Sequence, residues 1–523
     1  MDFPVSPTSP SYSLFTPKKL YLLLLVSAAG IINPLSSLMY TPALPAVASG
    51  LGVSVSKVNL TITVYLVFQG LMPCVWGSLG DACGRRLLYI TTLTFTLGAS
   101  IGLCFTDSFA VVLVLRALHA TGCSATRALG VGLIRDITPP DTRGSAMGMY
   151  GAGATVGTTF GPVLGGIIAQ YAGWHAIFYF LAALAAVVLI FIVLLLPETH
   201  RDIVGNGSVL PPKYLRPPIQ WLCPLTVSPS PTDTLKTSHS PSLLQLKVEF
   251  IKSITIMKHP DVASGLLFSG VCYGVWQNTM VVTPTVYATQ YGLDEVEIGL
   301  TFISNGVGCF IGNLITGKLL DYHYRMYAIR EGGVGVEHGT WTHLRGLSKI
   351  EHSRMQPLFY DVPIHIVLLL GFGWILQTRT NIVVSIILAF FLGMIDSSIL
   401  TVYSTLIIDL FPDLPATATA SVNLVRCLFG AVGTSTINEM TAALGFGWSF
   451  TLQAGILLLV TPLVWVELHY GQRYRAKREQ KKQGDNGAPG IQNSTSPIYD
   501  PMLVSGIHTA KEMDKVDMEK ESR

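Results

Sequence analysis

The stretch Gly77–Arg86 reads Gly-Ser-Leu-Gly-Asp-Ala-Cys-Gly-Arg-Arg and lies between two long apolar runs. Glycines and charges in this position predict a tight turn at a membrane surface. A similar motif recurs at Gly317–Arg325, which reads Gly-Lys-Leu-Leu-Asp-Tyr-His-Tyr-Arg. Glycine, leucine, aspartate and arginine stand at matching offsets in the two copies. In each copy the acid stands where a helix should end, and the helix dipole opposes a negative charge there. We therefore expect Asp81 and Asp321 each to face a positive group, in a chain whose two halves share one plan.

The composition is that of a membrane protein. Of the 523 residues, 50% are hydrophobic and only 12% are charged, which is about half the ~25% charged residues of a soluble domain. The mean hydropathy of +0.49 is too high for a single soluble core. A membrane span needs about 20 mostly apolar residues. We predict an all-α integral membrane fold with twelve transmembrane helices, at residues 20–40, 58–79, 87–105, 109–135, 145–170, 175–196, 262–288, 296–320, 362–378, 382–411, 418–444 and 448–470.

The placement of basic residues predicts the orientation. Lys57 and Arg379 fall in loops on one side of the membrane, and nearly all other Lys and Arg outside the spans fall on the opposite side. The positive-inside rule makes that second side cytosolic, and an even number of spans puts both termini there. The predicted domains are a cytosolic tail (1–17), a first six-helix bundle (18–196), a cytosolic linker (197–261), a second bundle (262–470) with a cytosolic loop at 321–361, and a cytosolic tail (471–523).

Two cytosolic segments have a further interpretation. Residues Leu243–Met257 of the linker space their apolar side chains along one helical face, which predicts an amphipathic helix on the membrane surface or an extension of the next span. The tail begins with a basic cluster after Gly471, which favours anionic lipid, and continues with a sequence typical of disorder. The sequence contains no pattern of a metal-ligand cluster, a nucleophile elbow or a phosphate loop. We therefore expect no enzyme, no resident metal or cofactor, and no nucleic-acid partner.

Charges at the cytosolic ends of the spans form candidate pairs. The second and fourth spans both run inward, so Arg85 and Asp136 are expected to meet at one surface. Arg325 and Asp409 hold the same relation in the second half.

Asp81 has a candidate partner in the other half, since the backbone N–H groups at the start of the eleventh span, near residues 415–417, carry partial positive charge. By symmetry Asp321 would face the start of the fifth span at Gly144. These contacts would close the cytosolic side; a solvated loop whose charges only set the topology is the alternative. The candidate gating cluster comprises Gly77, Asp81, Gly84, Arg85, Arg86, Asp136, Arg143, Asp321, Arg325 and Asp409.

The fifth span carries small residues at helical spacing. Gly157, Gly161, Gly165 and Gly166 allow neighbouring helix backbones to approach closely. Pro162 removes a backbone donor and bends the helix. A generic membrane helix also holds glycine and proline, but this full pattern is uncommon.

On these motifs the chain resembles the major facilitator superfamily, over about residues 18–475. Gly77–Arg86 is similar to its loop motif between spans two and three, Arg116–Gly122 to its fourth-span motif, and Gly157–Gly166 to the fifth-span motif of antiporters. Within the superfamily the chain resembles the fungal twelve-span drug:proton antiporters, in the branch with quinidine-resistance, polyamine and dityrosine exporters. That branch resemblance rests on Pro34–Ser37, Tyr40–Pro45, Gln69-Gly70, Pro197–Thr199, Val204–Ser208 and Asn423–Leu428.

The resemblance implies two pseudo-symmetric six-helix bundles around a central cavity, alternating access, and a proton gradient as the energy source. Three positions depart from the family pattern. His119 replaces a usual glutamine, Trp174-His175 replaces a common Trp-Arg pair, and Tyr324 replaces the glycine of the second loop motif.

Charged residues inside spans are costly, and so tend to be functional. Arg116 matches the proton-coupling arginine that the resemblance implies. Asp396, the most central acid, is the candidate proton acceptor, or else forms a buried ion pair with Arg426 that holds the halves together. His119 either titrates near neutral pH or stays neutral and donates one hydrogen bond. Glu439 lies near the outer end, where an interfacial role is the simpler interpretation.

Polar and aromatic residues mark a candidate substrate cavity. The seventh span groups four of them before Pro284, and such a group forms a plausible wall for a planar or cationic ligand. Ordinary packing of Trp276 is the alternative. The candidates are Tyr273, Trp276, Gln277 and Asn278, together with Tyr65, Gln69, Arg127 and Asn423.

The prediction from sequence is a secondary active transporter that exports a small organic compound, such as a drug, a polyamine or a secondary metabolite, in exchange for protons. Import by symport or uniport on the same fold is the first alternative, and a membrane sensor that signals through its tail is the second. The expected partners are the substrate, protons and membrane lipids. We expect a monomer in the plasma membrane, with the vacuolar membrane as the alternative.

Overall fold

The apolar runs form long helices throughout the part of the chain that the structure describes. This computed structural model describes residues 16–138, 143–204, 211, 215–218, 255–330, 350–411 and 415–485. The first half contains α1 (Thr16–Leu38), α2 (Leu44–Leu51), α3 (Val55–Cys83), α4 (Arg85–Cys104), α5 (Phe109–Ile137), α6 (Arg143–Ala172), α7 (His175–Leu195) and α8 (Arg201–Val204). The second half contains α9 (Pro260–Tyr291), α10 (Glu295–Arg330), α11 (Ile350–Met355), α12 (Leu358–Thr378), α13 (Ile382–Leu410), α14 (Pro415–Val460) and α15 (Pro462–Asp485).

These helices match the predicted spans. Among the described residues, ten stretches are long and apolar enough to cross a membrane. One of them, Thr417–Arg478, covers two predicted spans, because α14 is kinked at Gly445, where the backbone has φ 76° and ψ 171°. The seventh predicted span is the 32-residue helix α9, which is not among the ten. The chain is therefore an integral membrane protein with the predicted twelve-helix fold.

The helix contacts repeat between the two halves. In the first half α3 packs on α5, α1 on α6, and α4 on α7. In the second half α10 packs on α13, α9 on the first part of α14, and α12 on α14. The two largest contacts between the halves are α3 with α14 and α6 with α10. They join the second span to the eleventh and the fifth span to the eighth, so each half contributes the same two spans. Smaller contacts join α2 to α9 and α5 to α14. The two bundles are thus pseudo-symmetric, and the surface where they meet is called the seam below.

The two ends of the bundles differ in chemistry. We call the end that carries Gly84 the charged end, which the basic residues predict to be cytosolic. We call the other end, which carries the short helix α2, the α2 end. Residues up to Arg475 form one compact unit, and Ala476–Arg523 form a second, of which the structure describes only the end of α15.

The predicted turn is present in the first half and absent in the second. Between α3 and α4, Gly84 has φ 94° and ψ 155°, and a side chain there would also approach the Glu198 carboxylate to 2.5 Å. Only glycine suits both conditions. Tyr324 stands at the matching position, and α10 continues through it to Arg330. The predicted limits of the loop at 321–361 are therefore wrong. Helix α10 extends into its first part, and α11 and the start of α12 lie in its last part.

Other predicted segments lie partly or wholly outside the described residues. This is true of the first 15 residues, of most of the linker with its proposed amphipathic helix at 243–257, and of the tail after Asp485. The basic start of the tail, from Gly471, is helical as part of α15.

The glycine stripe of the fifth span lies between two other helices. A side chain at Gly157 would come within 2.7 Å of Pro34 on α1, and one at Gly165 would overlap the carbonyl oxygen of Met39, the residue that follows α1. One residue further, Gly166 faces the other bundle, where a side chain would overlap the carbonyl oxygen of Glu295. Helix α6 therefore packs backbone to backbone on α1 and on α10 at once, as small residues allow.

We expect Gly165→Ala to destabilise the protein by about 1–3 kcal/mol, the usual cost of overpacking, because the added methyl group meets backbone that cannot rotate away. The measurement is the thermal unfolding midpoint of purified protein in detergent. The matched control is Gly98→Ala on α4, where an added methyl group has no neighbour within 4 Å. An equal change in both variants would contradict this account of the stripe.

Candidate functional site

Each bundle holds an arginine–aspartate ion pair at its charged end, and a further ion pair in the second bundle joins Arg475 Nη1 to Glu351 Oε1 at 3.4 Å. Arg85 Nε lies 3.1 Å from Asp136 Oδ2, and both side chains are at least nine-tenths buried. In the second bundle Arg354 Nε lies 2.8 Å from Asp409 Oδ2. The expected partner of Asp409 was Arg325. Because α10 continues past Tyr324, Arg325 remains on an exposed face of that helix, and Arg354 of α11 forms the pair with Asp409 instead.

Glu198 and Arg86 join α4 to the end of α7 in the first bundle. The Glu198 carboxylate accepts hydrogen bonds from the backbone N–H groups of Arg85 (2.9 Å) and Arg86 (3.2 Å), at the start of α4. In return the Arg86 guanidinium donates to the carbonyl oxygens of Ile192, Val193 and Leu196 at the end of α7. A carboxylate thus meets a helix N-terminus and a cation meets a C-terminus, the favourable arrangement for both dipoles.

The predicted contacts between the halves at the charged end fall outside what the structure describes. The side chains of Asp81 and Arg143, and those at the start of α14, are not among the described ones. Asp321 lies on an exposed face of α10. Gly77 and Gly317, which open the two loop motifs, each have open space where a side chain would stand.

The bundles instead touch toward the α2 end. Thr63 and Thr434 share a hydrogen bond of 2.9 Å between α3 and α14. Between α6 and α10, Gln170 donates to Asp294 (2.9 Å) and accepts from the N–H of Val296 (3.0 Å). One buried apolar cluster includes Leu66 and residues of the second bundle, whereas the core of the first bundle near Leu129 is a separate cluster. The structure is therefore closed at the α2 end.

Asp294, at the edge of this contact, is an acid outside the spans. The backbone N–H of Glu297 donates to it at 2.8 Å. That hydrogen bond, with the one from Gln170, holds the pKa of Asp294 below its usual value. The carboxylate therefore stays ionised and keeps both hydrogen bonds at mildly acidic pH.

Arg116 and His119 lie inside the first bundle, and neither forms an ion pair with an acid among the described residues. Arg116 is fully buried, lies 4.6 Å from the ring centre of Tyr40 and 4.4 Å from that of Tyr65, and donates to the carbonyl oxygen of Ser36 at 3.1 Å. His119 is also fully buried, and among the described residues neither of its ring nitrogens has a hydrogen-bond partner. Its ring packs edge-on against Tyr65 and Phe178. The described part of the structure thus shows no donor or acceptor for His119, unlike the hydrogen bond that we considered.

Asp396 contacts a histidine rather than an arginine. His365 Nε2 of α12 lies 3.4 Å from Asp396 Oδ1 of α13, and both side chains are less than a tenth exposed. The suggested ion pair between Asp396 and Arg426 is therefore wrong. One turn earlier on α12, Asp361 accepts a hydrogen bond from Ser398 (2.5 Å), which accepts in turn from Thr316 (2.7 Å). Two acids and a histidine thus share the interior of the second bundle.

The other cavity candidates divide between the seam and the bundle interior. At the seam, Asn423 donates to the carbonyl oxygen of Gln69 at 3.0 Å, and the Arg426 guanidinium lies 4.7 Å from the ring centre of Tyr273. Arg127 is exposed beside them. Gln277 is buried, and Asn278 donates to Gln453 inside the second bundle at 3.2 Å.

Three further cavity candidates have described contacts within their own bundles. Trp276 packs on Tyr273, with ring centres 5.4 Å apart. Tyr65 is buried under Arg116, and Gln69 donates to Asn33 at 2.8 Å within the first bundle.

Sequence reasoning missed Glu198, Arg354, Asp361 and His365. Asp361 stood one residue outside the predicted ninth span, so it was not counted among intramembrane charges. The spacing of four residues between Asp361 and His365, one helical turn, is the sequence signal that would have indicated a shared site. Glu198 was used only as part of a family motif.

We expect Asp136→Asn to destabilise the protein by about 3–5 kcal/mol, since it leaves Arg85 buried without its counter-charge. Arg85→Gln combined with Asp136→Asn removes both charges and is expected to recover part of that loss. Thermal unfolding of the purified variants measures both effects. Asp107→Asn is the control, because Asp107 is 82% exposed and its described ion-pair partner, His175, is 31% exposed. A fully additive double variant would show that the two residues do not act as a pair.

Comparison with known proteins agrees with the geometry. The family model described as Major Facilitator Superfamily matches residues 26–434. Citrate exporter 1 of Aspergillus niger is 38% identical, over 91% of this chain and 90% of its own length. Multidrug transporter QDR2 of Candida glabrata is 28% identical, over 91% and 84%. The crystal structure of a D-xylose-proton symporter has the same fold, with a TM-score of 0.58 at 14% identity, over 85% of this chain and 97% of its own. The chain belongs to the major facilitator superfamily and is a secondary transporter, not an enzyme.

Proposed function

We propose that the protein exports a small organic compound in exchange for protons, by alternating access of a site at the seam. The observation that carries this proposal is the buried pair of Asp396 and His365, an acid inside the membrane whose neighbour is a titratable ring rather than a permanent cation. A charge in this position is costly, so a proton that binds or leaves the pair changes the energy of the whole bundle.

Export is supported by the named relatives. One that covers nine-tenths of this chain is called a citrate exporter, and another is called a multidrug transporter. The glycine stripe of α6, which resembles the motif of antiporters, has the close packing that such a motif requires. We propose the plasma membrane as its location. We also propose anionic lipid as a partner of the basic residues that follow Gly471 on α15, apart from Arg475, which pairs with Glu351.

The proton would leave Asp396 toward the charged end, which is the cytosolic side in the proposed orientation. Asp361 lies in the first turn of α12, at that end, and is only partly buried. Its hydrogen bond to Ser398 and the single turn to His365 give a short polar route through an otherwise apolar bundle. Arg116 lies in the other bundle, surrounded by aromatic rings, so we propose a structural role for it rather than direct proton transfer with Asp396.

Alternating access requires the charged end to close when the α2 end opens. We propose that Asp81 then meets the N-terminus of α14, while the ion pairs of Asp136 and Asp409 keep each bundle rigid during the motion. The open positions at Gly77 and Gly317 are consistent with a charged end that is parted in this structure.

The direct test uses purified protein in liposomes with an internal pH dye and an imposed proton gradient. Quinidine, polyamines, lipophilic cations and organic acids are added in turn. Proton movement that depends on a substrate supports antiport. Substrate flux without proton movement would favour a uniporter instead.

We expect Asp396→Asn to uncouple transport from pH, because asparagine cannot bind and release the proton. In liposomes the variant should exchange substrate across the membrane at equal pH but show no flux driven by a proton gradient. Glu439→Gln is the matched control, because Glu439 is exposed on α14 near the α2 end. Unchanged pH dependence of Asp396→Asn would remove this acid from the mechanism.

We expect Asp81→Asn to slow the switch between states while sparing expression, because the amide lacks the charge that attracts a helix N-terminus. Asp321→Asn is the comparison in the second half, where α10 continues without a turn. The readouts are transport rate and the amount of folded protein in the membrane. Normal transport in Asp81→Asn would refute the gating role.

A further inference from the structure

We infer that the transported compound is an organic anion whose carboxylate is bound jointly by Arg127 and Arg426 across the seam. This inference rests on the proposed function, whose substrate class it names. The two arginines come from different bundles, Arg127 from α5 and Arg426 from α14.

Arg127 lines the space between the bundles. Its side chain is exposed, although the groups that act on it electrostatically come from both bundles. These groups are Arg426, Tyr150, Cys427 and Tyr273. None of them is a carboxylate, and the one full charge among them, Arg426, repels it.

Among the described residues, the partners of Arg426 are neutral. It donates to Asn423 Oδ1 at 2.8 Å and covers the ring of Tyr273. Its Nε is buried and has no hydrogen-bond partner. The nearby Asn423 is itself fixed across the seam by Gln69. The guanidinium is therefore held in place beside Arg127 with donor capacity left over.

The acids of the described spans are engaged elsewhere. Asp136 and Asp409 pair with arginines at the charged end, Asp396 faces His365, and Asp361 accepts from Ser398. Glu467 is buried on α15 beside Gly265 and Tyr403 of the second bundle, and Glu439 is exposed near the α2 end. Two guanidinium groups that share a seam without an acid are the donors that a carboxylate prefers, because each presents a planar fork of N–H groups. A cationic compound would add a third positive charge to the same place. The aromatic face of Tyr273, suggested above as a wall for a cation, is covered by Arg426.

The pair also couples binding to movement. Without a bound anion, the two positive charges oppose the approach of α5 and α14. A carboxylate between them converts that repulsion into attraction for both bundles. The anion would thus favour closure of the seam around itself, and the empty carrier would resist it.

The test uses the purified full-length protein in detergent and three four-carbon probes of matched size: succinate, succinamide and putrescine. Citrate and phthalate are added as larger carboxylates. Binding is measured as the rise in the thermal unfolding midpoint with probe concentration, which follows mass action. We expect at least one carboxylate to stabilise the protein, and neither the diamide nor the diamine to do so. Equal effects of succinamide or putrescine, or no effect of any carboxylate, would overturn the inference.

Four variants locate the site. Arg127→Gln and Arg426→Gln should weaken the carboxylate by about 10-fold or more, as expected for loss of a charged hydrogen bond, whereas Arg127→Lys and Arg426→Lys should retain more of the affinity. Arg379→Gln, the same change at an exposed residue outside the seam, should leave it unaltered. Without a bound carboxylate, the thermal unfolding midpoint of Arg127→Gln should be no lower than that of the parent protein, because the repulsion between Arg127 and Arg426 is removed. A lower midpoint without a loss of carboxylate binding would assign Arg127 a merely structural role.

The two experiments distinguish a failure of the anion-site inference from a failure of the proposed antiport. Carboxylate binding that depends on both arginines, in a protein without proton-linked flux, would refute the antiport but keep the anion site. Proton-linked flux of putrescine, without carboxylate binding, would keep the antiport and refute the anion site.

Discussion

A charge inside a lipid bilayer must be met by protein or by water, and this constraint explains where the ionisable residues of the chain lie. At the charged end, Asp136 and Asp409 each meet an arginine, and Glu198 meets a helix N-terminus. These charges are satisfied within one bundle, so they move with it. The charges that are not satisfied in this way lie inside the bundles or at the seam, and among them are Asp396, Arg127 and Arg426, which the proposed mechanism uses.

The two halves follow one plan but satisfy it with different residues. In the first half, Gly84 ends one helix and starts the next, so that Arg85 reaches Asp136 directly. In the second half, Tyr324 removes that turn, α10 continues, and the matching arginine comes from Arg354 on a separate short helix. Both halves thus have an ion pair at the same place, but a different segment supplies the arginine in each. The position of a charge at the end of the bundle is constrained more tightly than its position in the sequence.

Much of this arrangement could be predicted from the sequence, because the span pattern and the positive-inside rule depend on local composition. The span limits, the turn at Gly84 and the approach of Arg85 to Asp136 follow from apolar length and from the direction in which each helix runs. The contacts of Asp396 and Arg426 could not be predicted in this way. They depend on helix rotation, which decides that Asp396 points to His365 inside its bundle while Arg426 points to the seam. A rotation of the helix by the angle between two successive residues would change these contacts, and the composition of the span does not determine that rotation.

Gly165 and Gly166 are neighbours in the sequence, yet they contact different bundles, one through Met39 and the other through Glu295. An inserted or deleted residue just before them would turn the rest of α6 by about 100°. Both backbone contacts would then be lost together, with no compensating shift available in α1 or α10. This segment should therefore tolerate changes of length far less than the loops do. Related chains are expected to differ freely in the linker between the bundles while they keep the spacing within α6 fixed.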